Sequence, residues 1–280
     1  MTEYLLAAYL GIVQGLTEFL PVSSSGHLAL SHILFHRYGL DLPVDNLFFD
    51  LLLHVGTLAV VITFYRAEIF QFIQEWTGWG GKVSSSVPQG ACHRWTGYVL
   101  LATFVTAALS LPFEEQLEQS FSEPVSMGLS WIFTGALLLV SWWLSERKPG
   151  HQGKDINLPI AIAVGVFQAI SVLPAVSRSG ATIAAALLMG ARKHEAVTFS
   201  FLISIPAISG AVLLHARKVE HIVWGPALFG VLFAMIFGWL ALDLLVKWVV
   251  RGRLVGFSVY CFGIGIVTLF LWAAGWLAVP

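Results

Sequence analysis

The chain has 280 residues, of which 57% are hydrophobic and only 11% charged, with a formal net charge of −1 and a mean hydropathy of +0.80. Soluble domains carry roughly 25% charged residues, so this composition defines an integral membrane protein. The basic residues sit in short loops and form no stripe, which gives no basis for a nucleic-acid partner, and the two cysteines, Cys92 and Cys261, lack metal-type spacing.

Residues 4–36 open the chain as an apolar segment with no basic leader and no clean small-residue cleavage site, so they are read as part of the folded protein rather than as a signal peptide. Their middle is interrupted by QGLTEFLPVSSSGH, residues 14–27, which places a glutamate, a proline, three serines and a histidine inside the apolar run. Apolar runs near 47–65, 95–112 and 124–144 follow, each long enough to cross a hydrocarbon core as a helix, which takes about 20 residues. Residues 66–94 read as a loop. Residues 158–191 repeat the first pattern, apolar but cut by LPAVSRSGAT, and runs near 198–215, 223–246 and 254–278 complete six spans. The long uncharged runs indicate helices; a barrel would show short alternating segments.

The two interruptions are related. A shift of 154 aligns Gln14 with Gln168, Val22 with Val176, Ser23 with Ser177, Ser25 with Ser179, Gly26 with Gly180 and Gly56 with Gly210. This internal repeat divides the chain into residues 1–145 and 155–280, each a broken element followed by three spans. Three crossings between copies invert the second relative to the first, and interrupted segments at matching positions of inverted halves point to a site near the bilayer midplane. The expected fold is therefore an all-α polytopic membrane protein, an inverted-topology repeat with six transmembrane helices and two re-entrant hairpins.

Charge placement orients it. If the 145–157 loop is cytoplasmic, eleven of the fifteen Lys and Arg residues share that side, while the acidic stretch FEEQLEQSFSE, Arg37, Arg217 and Lys218 lie opposite. Both termini are then expected outside. Tryptophans such as Trp76, Trp79, Trp142, Trp143 and Trp224 fall near span ends, where their rings anchor at the interface, and His93, His151, His194 and His221 are read as solvated surface.

Pro21 and Pro174 disfavour helical continuation before the serine clusters, so new half-helices are expected near Gly26 and Gly180. Serines just before a helix cap it, and the N-H groups and partial positive charge there favour an anion. Two such ends, at Gly26 and Gly180 with the Arg178 guanidinium between them, form a phosphate or diphosphate cradle, in which Ser23, Ser25, Ser177, Ser179 and Thr182 either contact the ligand or serve as structural caps. Gln14 and Glu18 share a helical face aimed at the same turn. A carboxylate beside phosphate is compatible if Glu18 holds a divalent hard cation bridging to phosphate oxygens. Ser24 and His27, three apart, read as nucleophile and general acid/base; either Ser24 or a water molecule is the attacking group. Asp50 and His54, four apart inside a span, either extend the polar wall or pair with each other.

The stretches QGLTEFLPVSSSGH and LPAVSRSGATIAAALLMGARKHEAVTFSFLISIPAISGA resemble the two signature regions of the undecaprenyl-diphosphate phosphatases, the bacitracin-resistance family of inner-membrane hydrolases. The similarity covers nearly the whole chain, including FFDLLLHVGTLAVV. The resemblance implies hydrolysis of undecaprenyl diphosphate to the monophosphate carrier of peptidoglycan synthesis, with bacitracin resistance. It implies a divalent cation, Mg²⁺ or Ca²⁺, a prenyl diphosphate lipid as partner, the bacterial inner membrane and a site facing the periplasm; the oligomeric state, monomer or homodimer, stays open. It maps Gln14 and Glu18, Ser24, His27 and Arg178 to the site. Gln14 stands where some members have an acid, His54 where Gln is frequent, and Thr198 where an acid often occurs. The competing reading is a secondary transporter or lipid flippase, whose architecture also uses inverted repeats with broken helices. A hydroxyl beside a base and a phosphate clamp favours hydrolysis. A resemblance of SSSGH to acid-phosphatase-type lipid phosphatases fails because no histidine follows Arg178 before His194.

Overall fold

A computed structural model describes residues 1–40, 46–78, 85, 87, 90–113, 123–146, 153–215 and 224–277. The acidic residues 114–122, Arg217, Lys218, His151, His221 and Trp79 lie outside them. Eleven α-helices are described: α1 (Thr2–Phe19), α2 (Ser24–Arg37), α3 (Asn46–Phe64), α4 (Arg66–Thr77), α5 (Cys92–Ser110), α6 (Pro124–Glu146), α7 (Leu158–Ile170), α8 (Arg178–Leu188), α9 (Lys193–His215), α10 (Trp224–Val250) and α11 (Val255–Ala273). Among the described residues, five helices are long and apolar enough to cross a membrane, and α3 and α4, bent by 67° at their junction, pass the same test together, which makes up to six spans.

Part of the expected 66–94 loop is thus helical. Residues 66–77 repeat apolar side chains at Ile69, Phe70, Phe72 and Ile73, which fits a helix lying across the end of α3. It stops at Gly78, which takes a left-handed φ of 68° and donates its N-H to the Gln74 carbonyl at 2.8 Å.

Contacts between helices fix their directions. Gly11 and Gly15 of α1 face Gly230 and Ala234 of α10 in order, and Phe49 and Thr57 of α3 face Gly230 and Gly238. Both α1 and α3 therefore run parallel to α10, so the α1–α2 pair must leave on the side from which it entered. The second pair closes visibly: the Lys154 N-H reaches the Gly190 carbonyl at 2.8 Å and the Arg192 N-H reaches the Lys154 carbonyl at 3.1 Å, joining the start of α7 to the end of α8. Gly165 and Gln168 of α7 face Ala102 and Thr106 of α5, so α7 runs parallel to α5. In the other central pair, Gly128 faces Gly265 while Gly135 faces Ser258, so α6 and α11 are antiparallel. These directions fit a single arrangement, two helical hairpins inserted from opposite faces of a six-span bundle.

Small residues make these packings possible. Lipid tails are as apolar as leucine, so helices associate through close backbone approach and interhelical hydrogen bonds rather than through hydrophobicity. A Cβ on Gly11 would collide with the Gly230 carbonyl, and one on Gly15 would lie 2.6 Å from the Ala234 carbonyl oxygen. Thr106 adds a hydrogen bond to the Gly165 carbonyl at 3.0 Å between α5 and α7. Phe19, Trp131, Phe199 and Phe201 are fully buried where hairpins and spans meet.

Candidate active site

The proline-containing turns bring the two hairpin tips together at the centre of the bundle. After α1, Pro21 and Val22 lead to Ser23, a non-glycine residue at φ 69°, whose Oγ accepts the Gly26 N-H at 3.3 Å and caps α2. In the second tip Ala175 has φ 59°, and Ser177 Oγ accepts the Gly180 N-H at 3.1 Å to cap α8. Each such φ costs about 1–3 kcal/mol and persists only where surroundings enforce it. Here Trp131 Nε1 of α6 donates to the Val22 carbonyl at 2.8 Å, and Thr134 Oγ1 accepts the Ser177 N-H at 3.2 Å. The tips also touch: Ser179 Oγ donates to the Leu20 carbonyl at 3.4 Å, and a Cβ on Gly26 would lie 2.7 Å from that of Ala175.

Glu18, buried at the last turn of α1, is the centre of this junction. Ser24 Oγ donates to its Oε2 at 2.5 Å, Gln14 Nε2 donates to the same oxygen at 3.1 Å, and Arg178 Nη2 pairs with Oε1. His54 Nε2 of α3 lies 3.5 Å from Oε2. One carboxylate therefore collects a hydroxyl, an amide, a guanidinium and an imidazole from α1, α2, α3 and α8. A buried charge is tolerable in a low-dielectric interior only when paired in this way. The Ser24 hydroxyl is held by a carboxylate able to take its proton, beside a cation suited to phosphate.

His27 is placed differently from the expectation that it pairs with Ser24. Its Nδ1 lies 2.6 Å from the Ser23 carbonyl and its Nε2 lies 2.7 Å from the Tyr260 hydroxyl of α11. The ring stacks on Tyr260 at 5.8 Å and meets Trp131 edge-on at 5.3 Å. The group hydrogen-bonded to Ser24 is Glu18. The three-residue spacing put Ser24 and His27 on one helical face, but the strained Ser23 turn offers its carbonyl to the imidazole first.

Of the remaining candidates, Gln14, Ser23, Ser25, Gly26, Ser177, Ser179 and Gly180 line the junction, with Ser23 and Ser25 hydroxyls 3.2 Å apart and Ser177 and Ser179 hydroxyls 3.3 Å apart. Two are set apart. Thr182 spends its hydroxyl on the Arg178 carbonyl and on Ser200 of α9 at 2.5 Å. Asp50 directs its carboxylate at His32 of α2, at 3.0 Å, and gives only its backbone carbonyl to His54. Asp50 and His54 therefore do not pair through their side chains, and His54 is the one facing Glu18. Sequence reasoning missed Tyr260, Trp131 and Thr134, which stand singly in spans with no local motif; their only signal is a polar group inside an apolar run.

The donor set suits a hard cation that takes most of its ligands from elsewhere. Gln14 Oε1 is buried without a hydrogen-bond partner, next to the Glu18 carboxylate. Among the described residues no group of three or more His, Cys, Asp or Glu is placed to hold a metal. Two hard oxygens match an ion such as Mg²⁺, which keeps waters and binds through one or two protein oxygens plus substrate phosphates.

Hairpins entered from opposite faces, with hydroxyl, carboxylate and guanidinium at their meeting point, define a polytopic membrane protein with an intramembrane polar site. The family model described as bacitracin resistance protein BacA matches residues 7–267. The undecaprenyl-diphosphatase of Korarchaeum cryptofilum is 36% identical over 276 residues, covering 96% of this chain and 99% of its own. Those of Carboxydothermus hydrogenoformans and Alkaliphilus metalliredigens are each 38% identical, covering 96% and 94% of this chain and 97% of their own in both cases. The chain belongs to the bacitracin resistance protein BacA family.

Proposed function

We propose that this protein hydrolyses undecaprenyl diphosphate to undecaprenyl phosphate and inorganic phosphate, returning the lipid carrier to peptidoglycan and envelope synthesis and thereby conferring bacitracin resistance. The observation that carries the reading is the Ser24 hydroxyl donating at 2.5 Å to a buried carboxylate that is itself paired with Arg178. The curated relatives bear the name of this activity.

In this mechanism the diphosphate enters between the capped ends of α2 and α8, whose first-turn N-H groups have no intrahelical partner. Arg178 moves from Glu18 to the phosphate oxygens, a match its planar fork favours. Glu18 takes the Ser24 proton as Ser24 Oγ attacks the terminal phosphorus; the bridging P–O bond breaks and undecaprenyl phosphate leaves. Water then attacks the phosphoserine, with His27 as the acid–base group, and inorganic phosphate leaves as Ser24 regains its proton. Glu18 and Gln14 Oε1 would hold the divalent cation, which when bound neutralises phosphate charge.

The loop charge bias supports the orientation of the spans, and the family resemblance supports a bacterial inner-membrane location with the site open to the periplasm. The test is phosphate release from prenyl diphosphates by purified protein in detergent, with and without chelator. Activity lost on chelation and restored by Mg²⁺ or Ca²⁺ supports the reading. A folded protein releasing no phosphate would return the transporter alternative.

A further inference from the structure

We propose that Tyr260 is a positioning residue for His27, an inference that deepens the hydrolytic reading and rests on it. A carbonyl oxygen only accepts, so the 2.6 Å contact between His27 Nδ1 and the Ser23 carbonyl places the ring proton on Nδ1. In the neutral ring Nε2 then carries the lone pair, and the Tyr260 hydroxyl donates to it at 2.7 Å. The Ser23 carbonyl therefore selects the tautomer, and the Tyr260 hydroxyl holds the free Nε2 in a fixed direction.

The stack of the two rings, only 12° from parallel, and the edge-on contact with Trp131 fix the ring plane from two sides. The next residue of α11 grips the backbone of the same turn, with Cys261 Sγ 3.5 Å from the Pro21 carbonyl. Adjacent residues of one helix thus set both the side chain and the main chain of the first hairpin tip. An apolar span gains nothing from a tyrosine hydroxyl unless the hydroxyl finds a partner, and this one reaches across to α2. A phenol hydroxyl rotates about its C–O bond, so its hydrogen can be withdrawn when a water competes for Nε2. The register of α11 consequently decides how the free Nε2 of His27 is oriented.

The experiment compares wild type, Tyr260→Phe and Tyr260→Leu in detergent, with two readouts. The first is steady-state phosphate release from a prenyl diphosphate. Loss of the hydroxyl is expected to lower kcat at least about tenfold, a fraction of what general acid–base groups contribute. KM should stay within about twofold, and Leu, which loses the ring as well as the hydroxyl, should be affected at least as much as Phe. The second is ¹⁵N NMR of histidine-labelled protein, with His27→Gln to assign the signal. Wild type should show a protonated Nδ1 and a hydrogen-bonded, unprotonated Nε2, and Tyr260→Phe the same tautomer with a shifted Nε2 resonance. A Tyr260→Phe protein with wild-type kcat, or with an unchanged His27 ¹⁵N pattern, overturns the inference. The NMR result does not depend on turnover, so failure of the hydrolytic reading is seen separately as absent phosphate release in wild type.

Discussion

The two hairpin tips share a sequence pattern but differ in the groups they present. Under the 154-residue shift Glu18 corresponds to Val172, Ser24 to Arg178 and His27 to Ala181, so the first copy holds the carboxylate, hydroxyl and imidazole while the second holds only the guanidinium. Their settings differ in the same sense. Every residue of α8 from Ser179 to Leu187 is buried, whereas α2 buries only Ser24, Gly26, Leu28 and Ser31. In the proposed mechanism the second, more buried hairpin is an anchored counter-charge, and the first, less buried, carries the chemistry. The buried Glu18 carboxylate takes the partly buried Arg178 guanidinium as its counter-charge, and the two come from different copies.

The sharpest way to break this division is to remove either charge. Glu18→Gln should lower phosphate release by about 10²–10⁴-fold, the usual contribution of a positioned base. Arg178→Ala should abolish detectable turnover and also destabilise the protein by about 3–5 kcal/mol, because it strands Glu18 unpaired. Combining Arg178→Ala with Glu18→Gln should restore thermal stability without activity; a double variant as unstable as Arg178→Ala alone would mean the pair is not what the junction stabilises.

Next in size is the spacing of the tips. Gly26→Ala places a methyl 2.7 Å from both Ala175 Cβ and Trp131 Cζ2. Separating nucleophile and guanidinium by about an ångström should cost about 10²-fold in kcat, read in the same assay on folded protein. Gly11→Ala tests the scaffold instead, where the α1–α10 contact leaves no room for a Cβ, and a loss of about 1–3 kcal/mol in thermal melts is expected. The smallest effect belongs to Asp50→Asn. Its carboxylate faces His32 rather than Glu18, so activity should fall less than about tenfold, in line with a partly exposed pair worth about 1 kcal/mol or less. A collapse of turnover in that variant would return Asp50 to the site.

Much of this was readable before any coordinates. Pro21 and Pro174 beside serine clusters predict the turns, and the caps fall on Ser23 and Ser177 as serine chemistry requires. Glu18 and Arg178 stand out because isolated charge in lipid is costly and must find a partner. The helical 66–77 segment was missed because an amphipathic stretch rich in charge reads as loop when only apolar runs are counted.

Composition and periodicity by themselves determined the multi-pass helical architecture and the broken elements, since these follow from the cost of exposing polar groups to lipid. Tertiary structure alone decided the partners: that Ser24 turns to Glu18 and His27 to Tyr260, that His54 rather than Asp50 meets the carboxylate, and that α11 holds the first tip. Those contacts join residues up to 240 positions apart, and which of several nearby acceptors wins depends on turn geometry and helix register, quantities that no local spacing encodes.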